Sequence, residues 1–274
     1  MKKKMNADVK KVMGIEELLQ WAFCQELCKV GAAGDRLTTV AGSNWSVTQD
    51  MATLGTLIDK SPNAFGVIPG FIEDGEPHRD ALLVGEAVRG LARIGFEIPA
   101  GWMPFPEMDD PHGLIASEVE RVACEVRLKG ERLSGRHLVA LVTGAAILGR
   151  GPDWHCEQPA FRMVSAAGKP RWFVKKTQKD ALGRVYEFET DGFDRKRSRP
   201  VSGAYRKYEL SQMMRGDILS RLDWQLWRDA LGFLADSLSG RLHDHAIYAF
   251  VADRQPWVRA AKMRAQMQAV EKAS

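Results

Sequence analysis

Leu219, Leu222, Leu226, Ala230, Leu234, Leu238 and Leu242 recur at steps of three and four residues in a stretch without proline, and Trp227 and Leu231 widen the same stripe. That period belongs to a helix and not to a strand, so the sequence predicts one long amphipathic helix with a face that must be buried. The same period appears earlier. Gly14–Val30 carries Ile15, Leu18, Leu19, Ala22, Phe23, Leu27 and Val30 on one side, with Gly31 and Gly34 as stop signals. His78–Ile94 follows the pattern with Pro77 before it and Gly95 after it. Further helices are predicted over Leu114–Leu128 and over Ser134–Leu148, where Ser134 supplies an N-cap. A more polar helix is predicted over Trp257–Val270. Residues 38–77 are rich in Gly, Asn, Ser and Pro, with a short helix expected near Gln49–Ile58 and an extended piece at Phe65–Phe71.

At Gly149 the pattern changes. Phe161–Val164, Arg171–Lys176 and Val185–Glu189 read as short strands, separated by the turns 167–170 and 180–183. The expected fold is therefore α+β: a mostly helical body with a small antiparallel hairpin or meander module. Its expected divisions are a helical unit over residues 1–150, a basic β module over 151–212 and C-terminal helices over 213–274. Trp172, Phe173, Tyr186 and Phe188 are expected to pack the hairpin onto the body. The chain is long enough to bury a sizeable core, and its apolar runs, such as Leu138–Leu148, are too short to span a bilayer. Lys2, Lys3 and Lys4 lead into Asn6, Ala7 and Asp8 instead of an apolar run, so no secretory signal is expected and the chain reads as cytoplasmic, without a membrane partner.

Charge then narrows the partner. Arg162–Tyr208 holds 13 Lys/Arg against 5 Asp/Glu, with seven aromatic residues interleaved, while the chain as a whole carries a net charge of +4. This one segment thus makes the protein basic, and a basic stripe with aromatic residues is the footprint of a polyanion-binding surface. Candidate nucleic-acid contacts are Arg171, Lys175, Lys176 and Lys179 around the hairpin, Arg195, Lys196, Arg197 and Arg199 after it, then Arg206 and Lys207. Phosphate neutralisation by such side chains gives affinity largely independent of sequence. The preferred reading is a non-enzymatic nucleic-acid-binding or regulatory protein needing no cofactor. The alternative is a structural or assembly protein whose basic segment meets an acidic partner chain.

A catalytic alternative uses the same region. Pro152-Asp153 followed by Asp194-Arg195-Lys196 reproduces the letters of the PD-(D/E)xK nucleases, in which two carboxylates hold Mg²⁺ and a lysine assists the attacking water. The residue types suit a hard cation, but Asp191-Gly192-Phe193-Asp194 reads as a turn where that superfamily has a strand. Cys24 and Cys28 could share a metal with His155 and Cys156, although packing is the simpler use of cysteines on an apolar helix face. His243 and His245 flank Asp244 beyond a helix end, a place suited to cations.

Several short stretches carry a resemblance. These are Gly151-Pro152-Asp153-Trp154, Gly168-Lys169-Pro170-Arg171-Trp172-Phe173, Asp191-Gly192-Phe193-Asp194 and Gly203-Ala204-Tyr205-Arg206-Lys207, with Trp21-Ala22-Phe23 and Pro77-His78-Arg79-Asp80-Ala81. In these the chain resembles a group of uncharacterised proteins encoded in alphaproteobacterial genomes, often in prophage-like regions. The resemblance implies a setting, phage or mobile-element biology, and no particular activity.

Overall fold

A computed structural model of the protein describes residues 10–27, 76–166, 168–251 and 253–273. The helix expected near residues 49–58, the extended piece at 65–71, Cys28, Gly31 and Gly34 lie outside the described residues. The fold is α+β, with helices and short, mostly antiparallel strands. No helix among the described residues is long and apolar enough to cross a membrane. The chain divides into two compact units: residues 1–100, 123–154 and 219–274 form the first, and residues 101–122 and 155–218 form the second. The second unit thus contains most of the 151–212 segment together with residues 101–122.

The first unit is built from helices whose ends follow local chemistry. Strand β1 (Lys11–Met13) leads into helix α1 (Ile15–Trp21), which continues as a π-helical turn over Ala22–Glu26. Helix α2 (Arg79–Gly90) starts at His78, whose ring Nδ1 accepts the Asp80 N–H at 3.0 Å as an N-cap. Helix α3 (Leu114–Lys129) passes from the second unit into the first. Helix α4 (Gly135–Leu148) begins at the predicted Ser134 cap and stops at Gly149, which adopts a left-handed φ of 63°. Its first residue must be glycine: a Cβ on Gly135 would lie 2.1 Å from the Leu91 carbonyl oxygen, at the end of the α2 segment.

Helix α5 (Arg215–Leu238) carries the leucine stripe from Leu219 to Leu238, and every member, with Trp227 and Leu231, is buried; the helix stops short of the expected Leu242, which is buried beyond its end. Fully burying a leucine contributes on the order of 1.5–3 kcal/mol, so this stripe is the main apolar anchor of the unit. Beyond α5 the chain forms strand β11 (His245–Ile247), which pairs in parallel with β1 from Lys11↔His245 to Met13↔Ile247, and ends in helix α6 (Pro256–Ala273).

The second unit is a set of small antiparallel ladders. Strand β2 (Phe161–Met163) pairs with β10 (Tyr208–Leu210), and β3 (Ser165–Ala166) with β4 (Lys169–Pro170). The central ribbon pairs β5 (Trp172–Lys179) with β6 (Val185–Asp191) in the register Phe173↔Asp191 to Lys179↔Val185. Strand β9 (Tyr205–Arg206) joins only at its base, opposite Trp172 and Phe173, so the ribbon is two-stranded from Val174 to its tip. A second hairpin pairs β7 (Phe193–Asp194) with β8 (Arg199–Pro200), so Asp191-Gly192-Phe193-Asp194 is mostly strand and not the expected turn. Gly192 alone breaks the strand, and a Cβ there would lie 2.8 Å from the Phe173 carbonyl carbon.

The expected packing of the hairpin aromatics is overturned as well. Trp172, Phe173, Tyr186 and Phe188 do not join the core: the first two and Phe188 are half-buried, and Tyr186 is 46% exposed. The physical reason is the two-stranded ribbon, which offers both faces to its surroundings beyond Val174.

Candidate nucleic-acid interface

The five acidic residues of the basic segment are each engaged inside the second unit. Asp180 Oδ1 accepts the N–H groups of Leu182 and Arg184 at 2.9 and 2.8 Å, which closes the ribbon's tip. Gly183, at φ 78°, supplies the left-handed residue this turn requires. Glu187 faces Lys175 at 3.8 Å. Glu189 accepts from Lys207 and from the Tyr205 hydroxyl, and these two bonds, Lys207 first, hold its carboxyl below the usual range. The same Glu189 contact pushes the Tyr205 phenol up. Asp191 Oδ1 accepts the Phe193 N–H at 3.1 Å.

Asp194 repeats the device of Asp180. Its Oδ1 accepts the N–H groups of Lys196 and Arg197 at 2.9 and 3.2 Å, and Oδ2 faces Arg197 at 3.8 Å. The turn Arg195-Lys196-Arg197-Ser198 is thereby pinned between β7 and β8, ending at Ser198 with φ 50°. Three consecutive cations sit at the tip of a tight loop, and the carboxylate beneath them is already holding backbone.

Most of the cations are left over. Among the described residues, no carboxylate pairs with Lys169, Lys176, Lys179, Arg184, Arg195, Lys196 or Arg199, and all seven are exposed. The remaining candidates are partly engaged. Arg171 and Lys207 lie over the Phe173 ring, each 5.1 Å from its centroid, and Arg206 over the Trp172 ring at 4.6 Å. Arg162, which sequence reasoning did not single out, pairs with Glu209 at 2.8 Å.

Asp153 belongs to the first unit, and Asp194 and Lys196 to the second. The geometry of Asp194 is that of a turn cap. Of the cysteine grouping, Cys24 belongs to the first unit, where its thiol contacts the Ala146 carbonyl at 3.7 Å, His155 and Cys156 belong to the second, and Cys28 lies outside the described residues.

A second charged centre lies in the first unit, and sequence reasoning missed it. Asp80 is fully buried in the first turn of α2. Its carboxylate accepts the N–H groups of His243, Asp244 and His245 at 2.7, 2.9 and 3.1 Å, and His245 Nδ1 at 2.9 Å. Burial pushes its pKa up, but these bonds together outweigh burial and hold it at about 2. Because the carboxylate can only accept, His245 Nδ1 carries the proton. Because His78 Nδ1 accepts the Asp80 N–H, its Nε2 carries the proton and donates to Asp244 Oδ2 at 3.2 Å. Trp21 packs on both rings, with centroids 5.4 Å from His78 and 4.4 Å from His245. His245 is therefore tied to a buried aspartate and not to the helix end expected from the sequence.

One ligand atom from each of His78, Asp80 and His245 lies within 4.8 Å of the others, a residue set that suits a transition metal. The hydrogen bonds argue for a different role. Asp80 already receives four donors and His78 uses both ring nitrogens, so an ion would have to displace the bonds that fasten residues 243–245 to α2. The centre is a structural clasp. The only advance signal for it was an aspartate in a helix's first turn, which gives no hint of a partner 163–165 residues away.

No protein-family model matches the chain, and neither a curated protein nor a solved structure matches it significantly.

Proposed function

We propose that the second unit binds nucleic acid through its backbone phosphates, and that the protein works by binding, as a non-enzymatic or regulatory factor. The observation that carries this reading is the mismatch within Arg162–Tyr208. Its acids are engaged in turns and pairs, whereas seven exposed cations have no described carboxylate partner. Cations held on rigid turns lose little freedom on meeting phosphates, and each phosphate neutralised releases counterions. The pinned loop Arg195–Arg199 is the strongest element, because Asp194 fixes its backbone while Arg195, Lys196 and Arg199 remain available.

The experiment is a gel shift or anisotropy titration with single- and double-stranded DNA and RNA at low salt. Wild-type protein should bind, and joint replacement of Arg195, Lys196, Arg197 and Arg199 by alanine should weaken binding by on the order of a hundredfold, with the fold intact. Absence of binding to every oligonucleotide would leave this reading without support.

A further inference from the structure

The register of the β5–β6 ribbon sorts its side chains by chemistry. Side chains alternate between faces along a strand, and directly paired residues share a face. Phe173, Lys175, Thr177 and Lys179 therefore lie on one face with Asp191, Glu189, Glu187 and Val185. The contacts agree, because Glu187 reaches Lys175 and Glu189 reaches Lys207, which itself lies over Phe173. All three acids of strand β6 are on this side.

The opposite face is different. Trp172, Val174, Lys176 and Gln178 lie there with Thr190 opposite Val174, Phe188 opposite Lys176, Tyr186 opposite Gln178 and Arg206 opposite Trp172. Again the contacts agree: Arg206 stacks on Trp172 at 4.6 Å, and the Tyr186 and Phe188 ring centroids are 5.8 Å apart. No acidic residue of β5 or β6 is on this side, and its charges, Lys176 and Arg206, are both positive. A face with the Tyr186 and Phe188 rings side by side, Trp172 beyond Val174 and Thr190, and charges of positive sign only is matched to a strand whose bases stack and whose phosphates are neutralised. Paired bases inside a duplex do not offer their faces, so such a surface discriminates by strandedness.

We infer that this face of the ribbon is a stacking platform for single-stranded nucleic acid, with Tyr186 and Phe188 each receiving an unpaired base and Lys176 and Arg206 meeting the adjoining phosphates. The inference rests on the nucleic-acid reading above and names its substrate class. The loop Arg195–Arg199 supplies general phosphate affinity, and the ribbon's aromatic face supplies the preference for an open strand.

The test uses the full chain and fluorescent oligonucleotides: an unstructured pyrimidine-rich single strand, as DNA and as RNA, and the matching duplexes. The variant Tyr186→Leu, Phe188→Leu keeps apolar, strand-compatible side chains but removes both π faces. Thr177→Ala, on the opposite face, is the control for ribbon integrity. Wild-type protein should prefer the single strand by about tenfold or more, and the double leucine variant should lose at least about tenfold in single-strand affinity. Its duplex affinity and salt slope should stay unchanged. Iodouridine in the single strand should photo-cross-link at Tyr186 or Phe188. Equal affinity for single and double strands, or a leucine variant that binds the single strand like wild type, overturns the platform while leaving general phosphate binding intact. Failure to bind any oligonucleotide overturns both.

Discussion

Two clusters of charge in this protein are built in opposite ways. Around Asp80 the charge is satisfied inside the chain: three backbone N–H groups and a histidine ring converge on one buried carboxylate, and the second histidine is held by both nitrogens. Between Arg162 and Tyr208 the acids are likewise engaged, but seven exposed cations have no carboxylate partner among the described residues. Charge density alone does not separate the two, because both contain His, Asp, Lys or Arg in short succession. What separates them is whether the charges are satisfied inside the chain. A satisfied cluster contributes to stability, and an unsatisfied exposed one is available to a partner.

The contrast can be broken most sharply at Asp80. Asp80→Ala would leave three backbone N–H groups and a histidine without their buried acceptor, and removing one member of a buried charged network costs about 3–5 kcal/mol. Urea unfolding should show that loss, while any protein still folded should bind nucleic acid like wild type. Joint alanine replacement of Arg195, Lys196, Arg197 and Arg199 should do the reverse. Affinity should fall by on the order of a hundredfold, with unfolding free energy within about 0.5 kcal/mol of wild type, as for exposed surface changes.

Acid should act on the Asp80 cluster as well. The folded-state pKa of Asp80 is about 2 against an ordinary 3.8. A depressed pKa gives stability that is fully present above the unfolded value and is lost as pH falls through the folded one. Between pH ~4 and pH ~2 the protein should therefore lose on the order of 2 kcal/mol through this group alone. Asp80→Asn should be less stable at neutral pH and lack that increment in a pH series of denaturant midpoints. The smallest effect concerns Asp194. Asp194→Ala removes two turn hydrogen bonds at an exposed site, so it should reduce stability by about 0.5–1 kcal/mol and weaken binding by only a few fold. A much larger loss, restricted to catalysis of strand cleavage with Mg²⁺, would favour the nuclease arrangement instead.

Much of the fold was legible because helices announce themselves through period. The α5 stripe is buried as its spacing demands, and Ser134 and Gly149 bound α4 where their chemistry places them. The ribbon was shorter in expectation than in fact. Lys175, Lys176, Thr177, Gln178 and Lys179 show no apolar alternation, since a ribbon without a buried face has no need of one. For the same reason its aromatics were expected in the core and lie outside it. The Asp80 clasp was illegible for another reason: it joins a helix start to a turn 163–165 residues later, and no local pattern encodes so distant a pairing. The candidate cations were legible by composition, but which of them remain unpaired became visible only once strand register placed the acids.

The decisive measurement is the salt dependence of nucleic-acid binding. For wild type, log affinity should fall linearly with log salt concentration, and the Arg195, Lys196, Arg197, Arg199 alanine variant should show a slope shallower by up to about 4 with its unfolding transition unchanged. Identical slopes for the two proteins would contradict the assignment of that loop to phosphate binding.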